Sequence, residues 1–191
     1  MWAGSSVAVF RHLPRPLLGC SDTQLMAQQL REARVRRRQD ALSLLRRDHE
    51  QAQSLYEGFQ TAGGDDRYFL ASRILRVLEQ HANIEEEVFY PVVLALASKR
   101  DQRRGEELVR RSMKDHEATR KYILKVRDTL EHDEGYQVQL DELMKLIGRH
   151  TEQEENELFP IARNLLSDAE LMEIGDDIRR MKPDDDTSLA A

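Results

Sequence analysis

Two segments of the chain occur twice, in the same order, and both copies put histidines where a helix needs apolar side chains. Asp-His-Glu at residues 48–50 recurs at 115–117, and His-x-x-x-Glu-Glu-x-x-Phe-Tyr-Pro at 81–91 recurs as His-x-x-x-Glu-Glu-x-x-Leu-Phe-Pro at 150–160. The two histidines of a copy are 32 residues apart in the first copy and 34 in the second. A repeated helical hairpin brings all four segments to the middle of one bundle.

Apolar residues around these segments recur at three- and four-residue steps, the period of one helical face. The predicted inner faces are Leu42, Leu45, His49, Ala52, Tyr56 and Phe59 in the first helix, Leu70, Ile74, Val77, Leu78, His81, Glu85 and Val88 in the second, Leu108, Val109, Met113, His116, Ile123 and Val126 in the third, and Leu140, Leu143, Ile147, His150, Glu154, Leu158 and Ile161 in the fourth. Short connections between long helices predict an all-α, antiparallel up-down four-helix bundle over residues 40–166, with Asp40 as the first cap.

The bundle is flanked by shorter segments. Residues 1–39 are predicted to be an N-terminal extension, helical in part or disordered, in which Ser21 and Asp22 cap a short basic helix. Residues 167–182 form a short fifth helix that begins with a capping box, and residues 183–191 are too polar to pack and are expected to be a disordered tail.

Within the bundle, Pro91 and Pro160 are expected to kink or locally break the ends of the second and fourth helices.

Composition excludes several classes of protein. One Cys in 191 residues excludes a disulfide-bonded module and zinc-thiolate sites. Nine Gly and five Pro are too few for a turn-rich all-β protein. The net charge of −6 makes the whole chain a poor phosphate-backbone binder, although its first 40 residues carry seven Arg. The run at 36–38 is interpreted as a solvated helix face, so no nucleic-acid partner is predicted.

No apolar stretch reaches the roughly 18 residues needed to cross a bilayer, so no membrane contact is predicted. Leu-Leu-Gly-Cys at 17–20 is similar to a lipoprotein cleavage site, but Arg11, Pro14 and Arg15 interrupt the apolar run that should precede it. Cys20 is interpreted as an incidental thiol. We expect a cytoplasmic protein.

The inner faces carry the candidate chemistry. Each of the four helices places a histidine inward, and two add a glutamate one turn later; the six residues are His49, His81, Glu85, His116, His150 and Glu154. Buried carboxylates are costly unless a cation pairs with them. Imidazole nitrogens and carboxylate oxygens together suit non-haem iron above all, with Mn or Zn as alternatives.

If Glu85 and Glu154 both bridge two ions, each ion receives two imidazole nitrogens and two carboxylate oxygens. An octahedral ion then keeps open positions for an oxo or hydroxo bridge and for dioxygen, peroxide or nitric oxide. Open positions indicate reactivity, whereas a filled ligand set indicates a structural site.

The four repeated segments resemble the hemerythrin HHE cation-binding domain, over about residues 40–166. The resemblance implies a carboxylate-bridged di-iron centre with the six residues in the ligand positions. Oxygen-carrying members have a second histidine on the third helix and an aspartate in the last motif. Here Ser112 and Arg120 flank His116, and the last motif carries Glu154. The chain is therefore more similar to bacterial-type HHE proteins, which the resemblance associates with handling and sensing of iron, oxygen, peroxide or nitric oxide.

Other residues near the motifs have two interpretations each. Tyr56, two turns after His49, is either a further candidate ligand or a core tyrosine with a hydrogen-bonded hydroxyl. The acidic residues adjacent to the histidines and ligand glutamates are either solvated or partners of ligand imidazoles; they are Asp48, Glu50, Glu86, Asp115, Glu117 and Glu155. His12 and His132 are expected to be exposed.

The leading hypothesis is a non-haem di-iron protein that binds dioxygen, peroxide or nitric oxide as carrier, scavenger or sensor. The sequence shows no acid–base constellation for an organic substrate, which favours a binding role over an enzyme. The alternatives are a di-iron enzyme with catalase-like or nitric-oxide-reducing activity, and an iron- or redox-sensing regulatory module whose stability depends on metal. In the regulatory alternative, metal occupancy also controls contacts with a partner, and the sequence does not identify a protein partner.

Overall fold

The computed structural model describes residues 39–129 and 134–182, and every element in these two ranges is helical. The elements are α1 (Ala41–Thr61), α2 (Gly64–Ile84), the π turn π1 (Glu85–Phe89), α3 (Tyr90–Lys99), α4 (Arg103–Asp128), α5 (Glu134–Gln153), the π turn π2 (Glu154–Leu158), α6 (Phe159–Leu165) and α7 (Asp168–Met181). The prediction of an all-α bundle is confirmed.

Two of the four long rods of the bundle contain a π turn. The second rod is α2, π1 and α3 without a break, and the fourth is α5, π2 and α6; α1 and α4 are the other two. Backbone angles stay helical through both junctions, with φ −66° and ψ −44° at Glu85 and φ −63° and ψ −43° at Gln153. Each expected proline kink is thus a π turn followed by more helix, since Pro91 and Pro160 lie in the first turns of α3 and α6.

The predicted caps form. The Asp40 carboxylate accepts a hydrogen bond from the Ser43 N–H at 2.8 Å and so begins α1. Ser167 and Glu170 form the predicted capping box of α7. Helix α7 packs on α1 and on π1, outside the four rods.

The core consists of two apolar clusters with a layer of buried polar side chains between them. One cluster is built around Leu42, Phe89, Leu108 and Phe159 and also takes in α7; the other is built around Phe59, Ile74, Ile123 and Leu143. The polar layer comprises Asp48, His49, His81, Glu85, Ser112, His116, Thr119, His150, Gln153 and Glu154. Four rods therefore enclose charged groups at mid-height, where a bundle is normally apolar.

One inner-face assignment is wrong. Met113 is 41% exposed, and the adjacent Ser112 is fully buried in its place. Ser112 lies one turn before His116 and so shares its face, where a small side chain fits beside the imidazoles.

Some predictions lie outside the described residues: the basic helix before residue 39, His12, Cys20, the 36–38 run, His132 and the 183–191 tail. Within the described ranges, no helix is both long and apolar enough to cross a membrane.

Candidate metal centre

The four histidines form two close pairs, and each pair consists of the two histidines of one repeat. His49 Nε2 lies 3.1 Å from His81 Nε2, and His116 Nε2 lies 3.2 Å from His150 Nε2. All four side chains are buried. We call the first pair the first metal position and the second pair the second metal position.

Glu85 joins the two positions. It is fully buried on π1, one turn after His81, and its Oε2 lies 3.3 Å from His81 Nε2. The same oxygen lies 3.2 Å from His116 Nε2, which belongs to the second position. One carboxylate thus faces imidazoles of both repeats.

Glu154 makes the equivalent contacts from π2. Its Oε2 lies 3.4 Å from His150 Nε2 and 3.5 Å from His49 Nε2, again one imidazole of each repeat. The donor atoms of His49, His81, Glu85 and Glu154 lie within 4.8 Å of one another, and so do those of Glu85, His116 and His150. All six predicted ligand residues are therefore brought together by the fold.

The electrostatics of this layer favour a cation. Burial opposes ionisation of Glu85, but the nearby imidazoles, His81 first, hold the pKa of its carboxyl well below the ordinary value. Burial likewise opposes a charge on His81, yet the carboxylates, Glu85 first, raise the pKa of its imidazole to about 10. Without metal, protons therefore supply the positive charge.

Some buried polar atoms of this layer, including two carboxylate oxygens, have no hydrogen-bond partner among the described residues. Glu85 Oε1 and Glu154 Oε2 are buried and accept no hydrogen bond from any described residue. Orphaned carboxylate oxygens beside four imidazoles are the donor set of an intermediate divalent ion. The residues present thus fit a two-metal site, and they are the six residues that the sequence predicts as ligands.

Tyr90, which sequence reasoning missed, lies at the centre of this site. Its hydroxyl is 2.5 Å from Glu154 Oε1 and 2.8 Å from Glu85 Oε2, and its ring stacks on the His116 imidazole with centroids 5.6 Å apart. Burial, together with the negative charges of Glu154 and Glu85, raises the pKa of the phenol well above its ordinary value. The phenol therefore stays protonated and donates a hydrogen bond within the layer.

The π turns explain how Tyr90 reaches the glutamates. The Tyr90 N–H bonds to the carbonyl of Glu85, five residues earlier, so the wider turn aligns the two residues on one face. In the other repeat the Phe159 N–H bonds to the Glu154 carbonyl, and the Phe159 ring stacks on His49 with centroids 6.0 Å apart. The two halves therefore share a backbone design, but only the half with Tyr90 carries a hydroxyl.

Two of the outer imidazole nitrogens contact carboxylates of the opposite repeat. His49 Nδ1 lies 2.7 Å from Glu155 Oε1, and His116 Nδ1 lies 2.9 Å from Glu86 Oε1. Arg120 donates to both oxygens of Glu86, at 3.0 and 2.8 Å. Contacts of this kind orient ligand imidazoles and fix their tautomer.

The other two outer nitrogens face aspartates of their own repeat. His81 Nδ1 is 3.6 Å from Asp48 Oδ2, and His150 Nδ1 is 4.0 Å from Asp115 Oδ2. Of the acidic residues with two interpretations, four therefore face imidazoles, whereas Glu50 and Glu117 are exposed.

The structure places Tyr56 away from the centre. Its hydroxyl donates to Asp141 Oδ1 at 2.8 Å, and its ring packs against the apolar cluster around Phe59. The seven residues between His49 and Tyr56 correspond to a rise of about 10 Å along the helix, too far for the phenol to reach the imidazoles. Tyr56 is therefore a core tyrosine with a hydrogen-bonded hydroxyl, the second of its two interpretations.

A cavity adjoins the imidazoles on the side of the Phe59 cluster. It has a volume of about 10 Å³, room for about one water-sized molecule. All four histidines of the two pairs line it, and the rest of its wall is Asp48, Ala52, Val77, Leu78, Ala82, Thr119, Ile147 and Thr151. The cavity and the glutamates therefore contact different sides of the imidazole pairs.

A surface groove between α1 and α5 lies next to this cavity. The groove has a volume of about 230 Å³ and is lined by Glu50, Gln53, Met144, Gly148 and Glu155, together with three residues that also line the inner cavity, His49, Ile147 and Thr151. The groove and the cavity beside the imidazoles therefore share part of their walls.

Comparisons with known proteins agree with this geometry. The family model of the hemerythrin HHE cation binding domain matches residues 26–162, a range that includes all six predicted ligands. Among solved structures, the fold is similar to that of a hemerythrin HHE cation binding domain-containing protein from Mycobacterium kansasii, with 23% sequence identity and a TM-score of 0.63. That alignment covers 75% of this chain and 85% of the other. No curated protein sequence matches the chain.

Proposed function

Because the chain belongs to the hemerythrin HHE cation-binding domain family, we propose that its polar layer holds two non-haem iron ions and that the protein binds dioxygen, peroxide or nitric oxide there. The proposed role is that of a carrier, scavenger or sensor. The observation that carries the proposal is the position of Glu85 and Glu154, each of which lies within 3.5 Å of imidazoles from both repeats. Such an arrangement suits bridging carboxylates between two ions.

Iron is the proposed metal because of the donor set. Four imidazole nitrogens and two carboxylates include no thiolate, and this mixture suits non-haem iron, with Mn or Zn as alternatives. When bound, two adjacent iron ions supply redox chemistry and open coordination positions for a small ligand. The residues of the chain hold the ions, orient the imidazoles and exclude bulk water.

The inner cavity supports a ligand of one or two heavy atoms. Its volume of about 10 Å³ admits a molecule near the size of water, and an organic substrate is too large for it. Apart from the imidazoles, most of its wall is apolar, as in Ala52, Leu78 and Ile147. A wall of that kind suits a neutral diatomic molecule or hydrogen peroxide.

The test is an absorption experiment on the full chain loaded with Fe(II) without oxygen. Exposure to oxygen, hydrogen peroxide or nitric oxide should change the spectrum, and recovery after oxygen removal identifies a carrier, whereas one-way oxidation identifies a scavenger or sensor. Bulky cumene hydroperoxide should react much more slowly than hydrogen peroxide because the cavity excludes it. Iron-loaded protein that responds to none of the three small ligands would contradict the proposal.

One observation favours the second candidate function, an enzyme that consumes peroxide or reduces nitric oxide. Both reactions involve proton transfer to an oxygen atom of the ligand, and the Tyr90 hydroxyl keeps a proton between Glu85 and Glu154 in a buried layer. If the protein is such an enzyme, Tyr90→Phe should lower kcat for gas release from peroxide while two irons stay bound. A wild-type protein without turnover excludes this candidate and leaves the binding role intact.

A further inference from the structure

The two outer aspartates of the metal centre have different surroundings. Asp48, which faces His81, is only 6% exposed, whereas Asp115, which faces His150, has a side chain that is 28% exposed. Their sequence contexts are equivalent, because each directly precedes the first histidine of its repeat. One element outside the repeats contacts Asp48.

That element is α7. Lys182, directly after the last residue of this helix, forms an ion pair through its Nζ with Asp48 Oδ1, while Oδ2 of the same carboxylate faces His81. In residues 39–129 and 134–182, no lysine or arginine lies within ion-pair distance of Asp115. A buried carboxylate needs such a counter-charge to stay in place.

The position of Lys182 is fixed by tight packing of α7. Leu171, Ile174 and Ile178 are buried in the apolar cluster that includes the start of α1. At Gly175 a Cβ atom would lie 2.7 Å from the carbonyl oxygen of Gln39, so α7 approaches the start of α1 more closely than a side chain allows. Helix α7 therefore holds Lys182 in a defined place beside Asp48.

We propose that Lys182 is a positioning residue for the first metal position. It holds the Asp48 carboxylate against His81, and it thereby makes metal retention by His49 and His81 depend on α7. The inference rests on the proposed two-metal function and deepens it, because it assigns a determinant of metal retention to residues outside the 26–162 family match. Among the described residues, Asp115 in the second metal position has no equivalent of Lys182, so we expect Lys182 to act on release of the first ion and not on release of the second.

The first experiment measures metal release from the full-length, iron-loaded protein after addition of a chelator. The wild-type protein should release its two ions in two phases. Lys182→Met should speed one phase about tenfold, since outer partners of ligand histidines typically contribute that much, and should leave the other phase unchanged. Asp48→Asn should speed the same phase, Asp115→Asn the other, and Lys182→Arg should restore the wild-type rate.

Arg180→Met is the matched control. Arg180 lies on α7, is largely exposed and pairs with Asp177 of the same helix. Its substitution therefore removes a positive charge from α7 and leaves the contact between Lys182 and Asp48 in place. Release rates for Arg180→Met should equal those of the wild-type protein. Unchanged rates for Lys182→Met, or equal acceleration of both phases, would overturn the proposal.

A second experiment separates this inference from the two-metal function. In metal-free protein, NMR of the imidazole nitrogens should show that Lys182→Met moves the resonances of His81 and leaves those of His150 unchanged. This result supports the role of Lys182 even if the wild-type protein holds no iron. His81 resonances that do not respond overturn it, whatever the outcome of metal analysis.

Discussion

The Tyr90 hydroxyl donates a hydrogen bond to Glu154 Oε1 at 2.5 Å, across 64 positions of the sequence and from one repeat to the other. The same hydroxyl is 2.8 Å from Glu85, so a single phenol lies between the two carboxylates proposed to bridge the metals. It breaks the two-fold repeat, because Phe159 occupies the equivalent position. The centre is therefore symmetric in its six predicted ligands and asymmetric in the residues around them.

Tyr90→Phe should keep the fold and both metals but alter the centre. The ring stack on His116 survives, whereas both carboxylates lose a buried donor, which should lower the free energy of unfolding of metal-free protein by about 1 to 3 kcal/mol. The charge-transfer spectrum of the iron-loaded protein should also shift. Tyr56→Phe, which removes a hydroxyl bound to Asp141, is the control and should leave that spectrum unchanged. If the spectrum shifts in Tyr56→Phe and not in Tyr90→Phe, the role given to Tyr90 is wrong.

The outer carboxylates should contribute to metal affinity according to their contacts. Glu155→Gln removes the negative charge of the side chain that contacts His49 Nδ1 and so weakens that hydrogen bond. We expect the metal affinity to fall about 10- to 100-fold. Glu50→Gln changes an exposed carboxylate directly after the same histidine and should change affinity little. Competition with a metal indicator measures both variants; equal losses would show that only the net charge matters.

Metal-free protein should lose stability as the pH rises. The pKa of His81 increases from 6.5 to about 10 on folding, so this group's contribution to stability is complete below about pH 6.5 and is lost as the pH rises through 10. The free energy of unfolding should fall by up to about 1.4 kcal/mol per pH unit in that window. Urea titrations between pH 7 and 10 in the presence of chelator measure the slope. His81→Gln should remove most of it, and a wild-type profile without a slope in this window would contradict the assignment.

Gly148 offers a way to obstruct the groove without disturbing the metal centre. A Cβ atom there meets no other atom within 4 Å, and the residue lines the groove beside Ile147 and His49. Gly148→Leu should therefore slow association of dioxygen or nitric oxide severalfold while iron content stays the same.

Gly148→Ala is the control for that variant. It should keep the wild-type association rate and gain about 1 kcal/mol in stability from helix propensity. Stopped-flow absorption gives the rates. If the leucine variant binds its ligand as fast as the wild-type protein, small molecules reach the imidazoles by another path.

The helical period predicts the six candidate ligands that the fold brings together. His81 and Glu85 are one turn apart, and each ligand occupies a position that the period assigns to the core. Tyr56 is a candidate for the same reason, because it lies two turns after His49, whereas Tyr90, five positions after Glu85, leaves the face of a regular α-helix. The π turn restores that alignment, and periodicity alone does not reveal a π turn.

Two further features depend on tertiary packing rather than on pattern. Periodicity favours Met113 because it is apolar, but the fold buries Ser112, one turn before His116, and leaves Met113 41% exposed. The contact between Lys182 and Asp48 joins residues 134 positions apart, and no motif connects them. Long-range contacts of single charged residues leave no periodic signal in the sequence.

Metal analysis of protein purified without chelators tests the central claim most directly. We predict about two iron ions per chain, a charge-transfer absorption in the oxidised protein, and loss of both in the double variant Glu85→Ala and Glu154→Ala, in keeping with the carboxylates' contacts to both histidine pairs. A wild-type protein that contains no metal, and whose stability does not change when iron, manganese or zinc is added, would contradict the account.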